Sequence, residues 1–281
     1  MIREQLDLFD TKYDLIDNKV DEFFWAYHAG MADGDGCFKF NKKSLCYSLN
    51  LIDKNIIEEI SSLYGTKLGI VKKYKPHHTQ AYSVTLSSKN AEHFYKKVYP
   101  YLIEKRDKIK KQAATVGLEL TKKPVSLDQK FCWLAGYFDA EGCVSMDNHF
   151  DKRSNKYNFK IQLRFTSTDL KVNRYVRRFL NSFLSIKDKK DCAVLIAKTK
   201  WKKRTGSEKD CWDVFLRKAV KVFIFGKVML PFIKVQRKID KFKRIMDYAK
   251  FCARMEWQFG RFNFKTNDKM RKNYLMIKND N

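Results

Sequence analysis

No stretch of this chain approaches the ~18 consecutive apolar residues that a membrane span requires. The first 21 residues are acidic and polar and lack the basic-then-apolar layout of a secretory signal. None of the seven cysteines (Cys37, Cys46, Cys132, Cys143, Cys192, Cys211, Cys252) forms a Cys-x-x-Cys pair, which removes the pattern of a zinc ribbon. Wide spacing and an odd number fit reduced thiols in an intracellular compartment. Acidic residues are also in short supply, 32 against 58 Lys and Arg, for a formal charge of +26. Like charge in such excess opposes compaction unless a polyanion relieves it. Nucleic acid is the expected partner, and a membrane surface is not, because no basic amphipathic helix stands apart from the folded pattern.

What is present is enough apolar material, 44% of 281 residues, for a core in one large or two smaller domains. The chain also repeats itself. Segment 25–38, WAYHAGMADGDGCF, slides onto segment 131–144, FCWLAGYFDAEGCV, with an offset of 106 positions. Ala29, Gly30, Asp33, Gly36 and Cys37 then meet Ala135, Gly136, Asp139, Gly142 and Cys143, and Asp35 meets Glu141 with its carboxylate preserved.

Hydropathy patterning continues the repeat. After each segment come period-two stretches that predict strands, 37–40 and 47–52 in the first half and 160–166 in the second. Helical patterns follow at 54–63 and 170–184, then further strands at 68–74 and 82–86, and at 192–199 and 212–216. The expected fold is α+β, two pseudo-symmetric αββαββα halves, each with an antiparallel sheet. Pro100 and Pro231 mark equivalent points with an offset of 131, so the second half has gained about 25 residues, placed at 187–210. The expected division is an N-terminal extension 1–20, a first repeat 21–117, a linker 118–128 around Pro124, a second repeat 129–250 and a tail 251–281 of unassigned role.

Each repeated segment reads as a helix ended by a glycine-flanked acid, Gly34-Asp35-Gly36 or Ala140-Glu141-Gly142. Asp-Gly alone is a common turn, but a matched pair inside repeats is not. The small Ala29-Gly30 and Ala135-Gly136 would let two such helices approach closely. Paired carboxylates stay ionised best around a cation, and hard oxygen ligands favour Mg²⁺ (or Mn²⁺). Counting by two along the strands puts Lys39, Asn41, Lys43, Ser48 and Asn50, and Ser145, Asp147, His149, Lys160, Gln162 and Arg164, on a sheet face free of helices. Phe38, Phe40, Leu49, Leu51, Ile161, Leu163 and Phe165 would pack beneath. Asn, Gln, Arg and Lys read base edges in the major groove, and Lys72, Lys198 and Lys200 would hold phosphates. The halves differ at nearly every such position, which predicts an asymmetric target. His77-His78 beside Pro76 reads as a loop, and Cys37 and Cys143 as small strand residues rather than nucleophiles.

Residues 134–142, LAGYFDAEG, and more loosely 28–36, HAGMADGDG, resemble the motif of the LAGLIDADG homing endonucleases in their single-chain, two-motif form. The resemblance extends over roughly residues 21–250. His28 and Ala32 depart from the motif, where apolar and larger residues are usual. The resemblance implies a monomeric, metal-dependent enzyme that cuts both strands of a long DNA site, its two halves packed through the motif helices and its antiparallel sheets on the DNA. It places Asp35 and Glu141 at the catalytic metals, with the carbonyls of Gly34 and Ala140 as further ligands. Lys105, and Gln236 with Lys234 and Arg237 beside it, fall at the basic position near the scissile phosphate. Asp53 and Ser167 fall where polar residues organise the attacking water. Two other readings compete: an RNA-binding intron maturase, and a DNA-binding regulator with an idle catalytic pair. Lysine over arginine, with frequent Asn, Ile, Phe and Tyr, resembles AT-rich coding sequence, as in organelles or phages. A free-standing or intron-encoded enzyme is expected.

Overall fold

The computed structural model describes residues 12–41, 44–73, 79–151, 156–184, 194–202, 208–217 and 219–259; Lys43, His77 and His78 lie outside them. Two compact units divide between Ala140 and Glu141. The segment 118–126 has no regular secondary structure, and the helix that follows it packs with the first unit.

The first unit begins with α1 (12–19) and α2 (Glu22–Gly34). Then come β1 (Cys37–Asn41), β2 (Ser44–Leu51), α3 (Lys54–Tyr64), β3 (Gly69–Val71), β4 (Ala81–Ser87), α4 (Ser88–Val98), α5 (Arg106–Ala114) and α6 (Leu127–Glu141). Its sheet is antiparallel throughout, in the order β1-β2-β4-β3. α3 and α4 cover one face, where Phe38, Tyr47, Leu49, Val84 and Leu86 are buried. Each such side chain contributes about 1.5–3 kcal/mol by leaving water. α3 stops at Gly65, whose φ of 61° closes the helix in the left-handed conformation that glycine adopts without strain. Phe40 does not follow the expected pattern and is 43% exposed. It sits near the end of an edge strand, with a neighbouring strand on one flank only.

α1 docks on the helical layer of this unit through Ile16, which is buried, and through a polar chain. Tyr13 stacks on His93 at 4.7 Å. Tyr64 Oη lies 2.8 Å from His93 Nδ1, and His93 Nε2 lies 3.2 Å from Asp17 Oδ1. Lys97 closes the chain on the other oxygen of Asp17 at 2.5 Å. The pattern assigns a neutral imidazole that accepts from Tyr64 and donates to Asp17. Burial, aided by Lys97 and Lys96 and opposed by Asp17, holds the His93 pKa below its usual value. The unfolded chain therefore binds the extra proton first. Stability is full above about pH 6.5, the unfolded value, and falls as pH drops toward the lower folded pKa. Urea unfolding of wild type and His93→Gln between pH 7.5 and 5 should show that fall in wild type and a flatter profile in the variant.

The second unit repeats the order: β5 (Gly142–Asp151), β6 (Lys156–Ser167), α7 (Leu170–Phe183), β7 (Val194–Lys202), β8 (Glu208–Arg217), α8 (Ala219–Met229), a 3₁₀ turn (Leu230–Phe232) and α9 (Gln236–Phe259). Its antiparallel sheet runs β5-β6-β8-β7. Asp169 caps α7, accepting from Lys171 N at 2.7 Å. The inserted residues lengthen the hairpin β7–β8, which pairs over nine positions where β3–β4 pairs over three. α9 continues into the stretch taken as tail, to Phe259. No helix among the described residues is long and apolar enough to cross a membrane.

Candidate active site at the ends of the motif helices

Asp21 starts α2 by accepting from Phe24 N at 2.9 Å. From Trp25 to Asp33 every residue of the helix is buried, so this is a helix packed all round. Part of what surrounds it is α6. A β-carbon on Gly30 would lie 1.9 Å from the Trp133 carbonyl oxygen, and one on Gly136 would lie 1.9 Å from that of Tyr27. Backbones touch here, as the small residues predicted. The contact is reciprocal: Trp133 Nε1 donates to Asp33 Oδ2 at 3.0 Å, and Tyr27 Oη donates to Asp139 Oδ2 at 2.7 Å. Under the 106-position offset these two bonds are images of one another. Burial, and then the Asp139 charge, push the Tyr27 hydroxyl well above its usual pKa.

The motif's first acid has a role that sequence reasoning missed. Asp33 is fully buried, and besides Trp133 it accepts from the backbone N–H of Ile103, Glu104 and Lys105 at 2.7, 3.1 and 2.8 Å. Burial raises its pKa and these donors oppose the rise. The carboxylate thereby pins the start of α5 against the end of α2. Only its place in the repeat, two residues before Asp35 and matched by Asp139, could have hinted at this.

That clamp delivers Lys105. Its ammonium donates to the carbonyl oxygens of Ala32, Gly34 and Gly36 at 2.7, 2.8 and 2.7 Å. All three ammonium donors meet the orphan carbonyls of a helix end, where a cation also suits the macrodipole. Asp35 is the C-cap of α2, its N–H donating to Met31 O at 3.0 Å, and it is exposed while Gly34 is half-buried. Tyr47 packs beneath Gly36, and burial, with the Asp35 charge next, raises its hydroxyl pKa. Lys105→Met should destabilise the protein by about 1–3 kcal/mol, since three carbonyls lose a charged partner. Lys105→Arg should not restore it, because a planar guanidinium cannot meet three converging oxygens. Urea unfolding of both variants measures this.

At the second motif Ala140, the last residue of the first unit, and Glu141, the first of the second, are each half-buried. The ammonium that meets this motif's carbonyls is that of Lys238, which donates to Gly142 O, the counterpart of Gly36, at 2.9 Å. Gln236 is therefore not the counterpart of Lys105. It opens α9 and donates to Asp240 Oδ1 at 2.7 Å in an exposed pair. The chain needs seven residues from Pro231 to Lys238 but five from Pro100 to Lys105, and counting from proline fell two short. Asp53 is the N-cap residue of α3, and its counterpart at α7 is Asp169. Ser167 is buried and accepts from Asp169 N at 2.9 Å.

Two departures from the motif are absorbed by packing. His28 is buried with Nε2 3.3 Å from Glu59 Oε2 and its ring 4.2 Å from that of Phe24. Ala32 is buried where Gly36 closes on it.

On the free face of the first sheet the register joins Lys39 and Asn41 on β1 with Ser48 and Asn50 on β2. Lys39, Asn41 and Asn50 are exposed and Ser48 is half-buried. Lys72, just past β3, is exposed. In the second sheet the register pairs Ser145 with Gln162, Asp147 with Lys160 and His149 with Asn158, and Arg164 is exposed beside them. Lys198 does not join this set. It pairs with Trp212 on the side of Val214 and Leu216, with Nζ 2.6 Å from Asp210 Oδ2, while the side chain of Lys200 lies outside the described residues. Among the described residues no three His, Cys, Asp or Glu side chains converge as ligands. A metal here would rest on single carboxylates, helix-end carbonyls, water and substrate oxygens, a donor set that suits Mg²⁺.

The model of the LAGLIDADG endonuclease family matches residues 134–206, beginning at the first residue of the second motif. No curated protein matches the chain. Among solved structures, I-SmaMI, a LAGLIDADG homing endonuclease bound to cleaved DNA, is similar at 13% identity and a TM-score of 0.53 over 91% of this chain and 96% of that one. I-SmaMI bound to an uncleaved target with calcium ions gives 12% identity and 0.52 over 92% and 97%. I-AabMI, a LAGLIDADG meganuclease bound to uncleaved DNA, gives 13% and 0.55 over 93% and 98%. The resemblance read from the two motifs holds: the fold is that of the LAGLIDADG homing endonucleases along nearly the whole chain.

Proposed function

We propose that this chain is a site-specific double-strand DNA endonuclease, a homing endonuclease, that acts as a monomer on a long asymmetric site. The observation that carries the reading is the pair of motif helices, in backbone contact through Gly30 and Gly136, each ending in an acid with a lysine on the adjoining carbonyls. Asp35 and Glu141, with the carbonyls of Gly34 and Ala140, would hold Mg²⁺ or Mn²⁺. A bound ion there would supply an activated water and charge stabilisation for phosphodiester hydrolysis. Lys105 and Lys238 act through the helix-end carbonyls as positioning residues, and they add positive charge where a phosphate arrives. Lys39, Asn41, Asn50, Gln162 and Arg164 would face base edges from the two sheets, and Lys72 a phosphate. The charge of +26 supports a polyanionic substrate. The DNA-bound relatives of this fold support duplex DNA over intron RNA.

A randomised duplex library incubated with the protein in Mg²⁺, with cut ends recovered and sequenced, tests this reading. A single long non-palindromic consensus is expected, and none in EDTA. Recovery of a bound consensus that is never cut would favour the idle regulator instead.

A further inference from the structure

The free faces of the two sheets differ in kind. In the first unit the rungs read Cys37–Ser48–Thr85 and Lys39–Cys46–Ser87, short side chains with one charge among them. In the second unit they read Ser145–Gln162–Arg217 and Cys143–Arg164–Phe215. These residues share the free face, because their alternates Ile161, Leu163, Val214 and Leu216 are buried on the other side. Arg217 is the last residue of β8, an inner strand of its sheet, and is paired with Gln162 on β6. Its guanidinium carbon is 4.9 Å from the centroid of the Phe215 ring, and Phe215 is only 9% exposed although it points away from the helices. A guanidinium laid on a ring is held in place and keeps its in-plane N–H donors outward. Among the described residues no carboxylate or carbonyl takes up the guanidinium of Arg217 or Arg164.

We infer that Arg217, braced on Phe215 and flanked by Gln162 and Arg164, is a base-reading residue that specifies guanine in the half of the duplex under the second sheet. Two parallel N–H donors in one plane match guanine O6 and N7 in the major groove. The brace restricts a long side chain before DNA arrives, which lowers the ordering cost of the contact. The first sheet offers no arginine, so the target is read unequally, with its sharpest guanine requirement in one half. This rests on the endonuclease reading above.

Selection of bound duplexes from a randomised library, by wild type, Arg217→Ala and Arg217→Lys, tests it. Wild type should enrich a site with at least one invariant G–C pair in one half. Arg217→Ala should lose about 10–100-fold preference at one such pair and keep the others. Arg217→Lys should also lose it, because an ammonium lacks the fork. Arg217 is exposed, and far-UV circular dichroism checks that both variants fold. Uniform weakening across sequences, with a salt slope shallower by about one, would make Arg217 a phosphate contact and overturn the inference. An enriched site unchanged by either variant overturns it as well. A library from which wild type enriches nothing sinks the DNA reading itself, and this inference falls with it.

Discussion

The double variant Asp35→Asn/Glu141→Gln should bind its duplex at least as tightly as wild type and cut it at least about 1,000-fold more slowly. Both acids stand at helix ends, Asp35 exposed and Glu141 half-buried. At the proposed site each would present negative charge to an incoming phosphate, a cost that a bound cation would offset. Amides of the same shape keep the helix ends and remove that repulsion, so affinity without metal should rise while catalysis is lost. Gel-shift titration in EDTA and cleavage of end-labelled duplex in Mg²⁺ separate the two effects. Cleavage within about 10-fold of wild type would mean that these carboxylates are not at the reacting centre. Each single variant should lose most of the double-strand cutting, since two strands need two centres.

The second large effect is structural. Gly30→Ala places a methyl group 1.9 Å from the Trp133 carbonyl oxygen and 2.8 Å from Tyr137 N. Both obstacles are backbone atoms of a helix that cannot rotate aside. Overpacking usually costs about 1–3 kcal/mol when side chains can yield; here the helices must part, which also strains the Asp33–Trp133 and Tyr27–Asp139 bonds. The expected loss exceeds about 3 kcal/mol, enough to prevent folding in a marginally stable domain. Gly136→Ala should do the same, and the two should not add, because they disrupt one contact. Gly65→Ala serves as the comparison. It has open space and only a positive φ, so it should cost about 1–2 kcal/mol. Urea denaturation of the three variants ranks them.

Much of this was legible because the repeat is written in residues that touch. Gly30 and Gly136 declare a backbone contact, and strand parity sorted Leu49, Leu163 and Phe165 inward from Ser48, Gln162 and Arg164. Parity was not applied to the inserted hairpin, where charge alone nominated Lys198 and Lys200, and the register puts Lys198 on the side of Val214 and Leu216. Lys238 was hidden because the turn after Pro231 is two residues longer than its counterpart, and a loop's length carries no hydropathy signal. The clamp by Asp33 and the docking of α1 on His93 join residues about 70 or more positions apart. No local pattern encodes such pairings. Arg217 escaped notice because its meaning depends on Phe215 below it and Gln162 across from it.

The central claim is that this chain breaks both strands of one duplex with a divalent metal. A duplex enriched from the library, labelled on each strand separately, is incubated with wild-type protein in Mg²⁺ and in EDTA. The account predicts one cut on each strand at a single site in Mg²⁺, and none in EDTA. Tight binding with both strands intact in Mg²⁺ and in Mn²⁺ would contradict it.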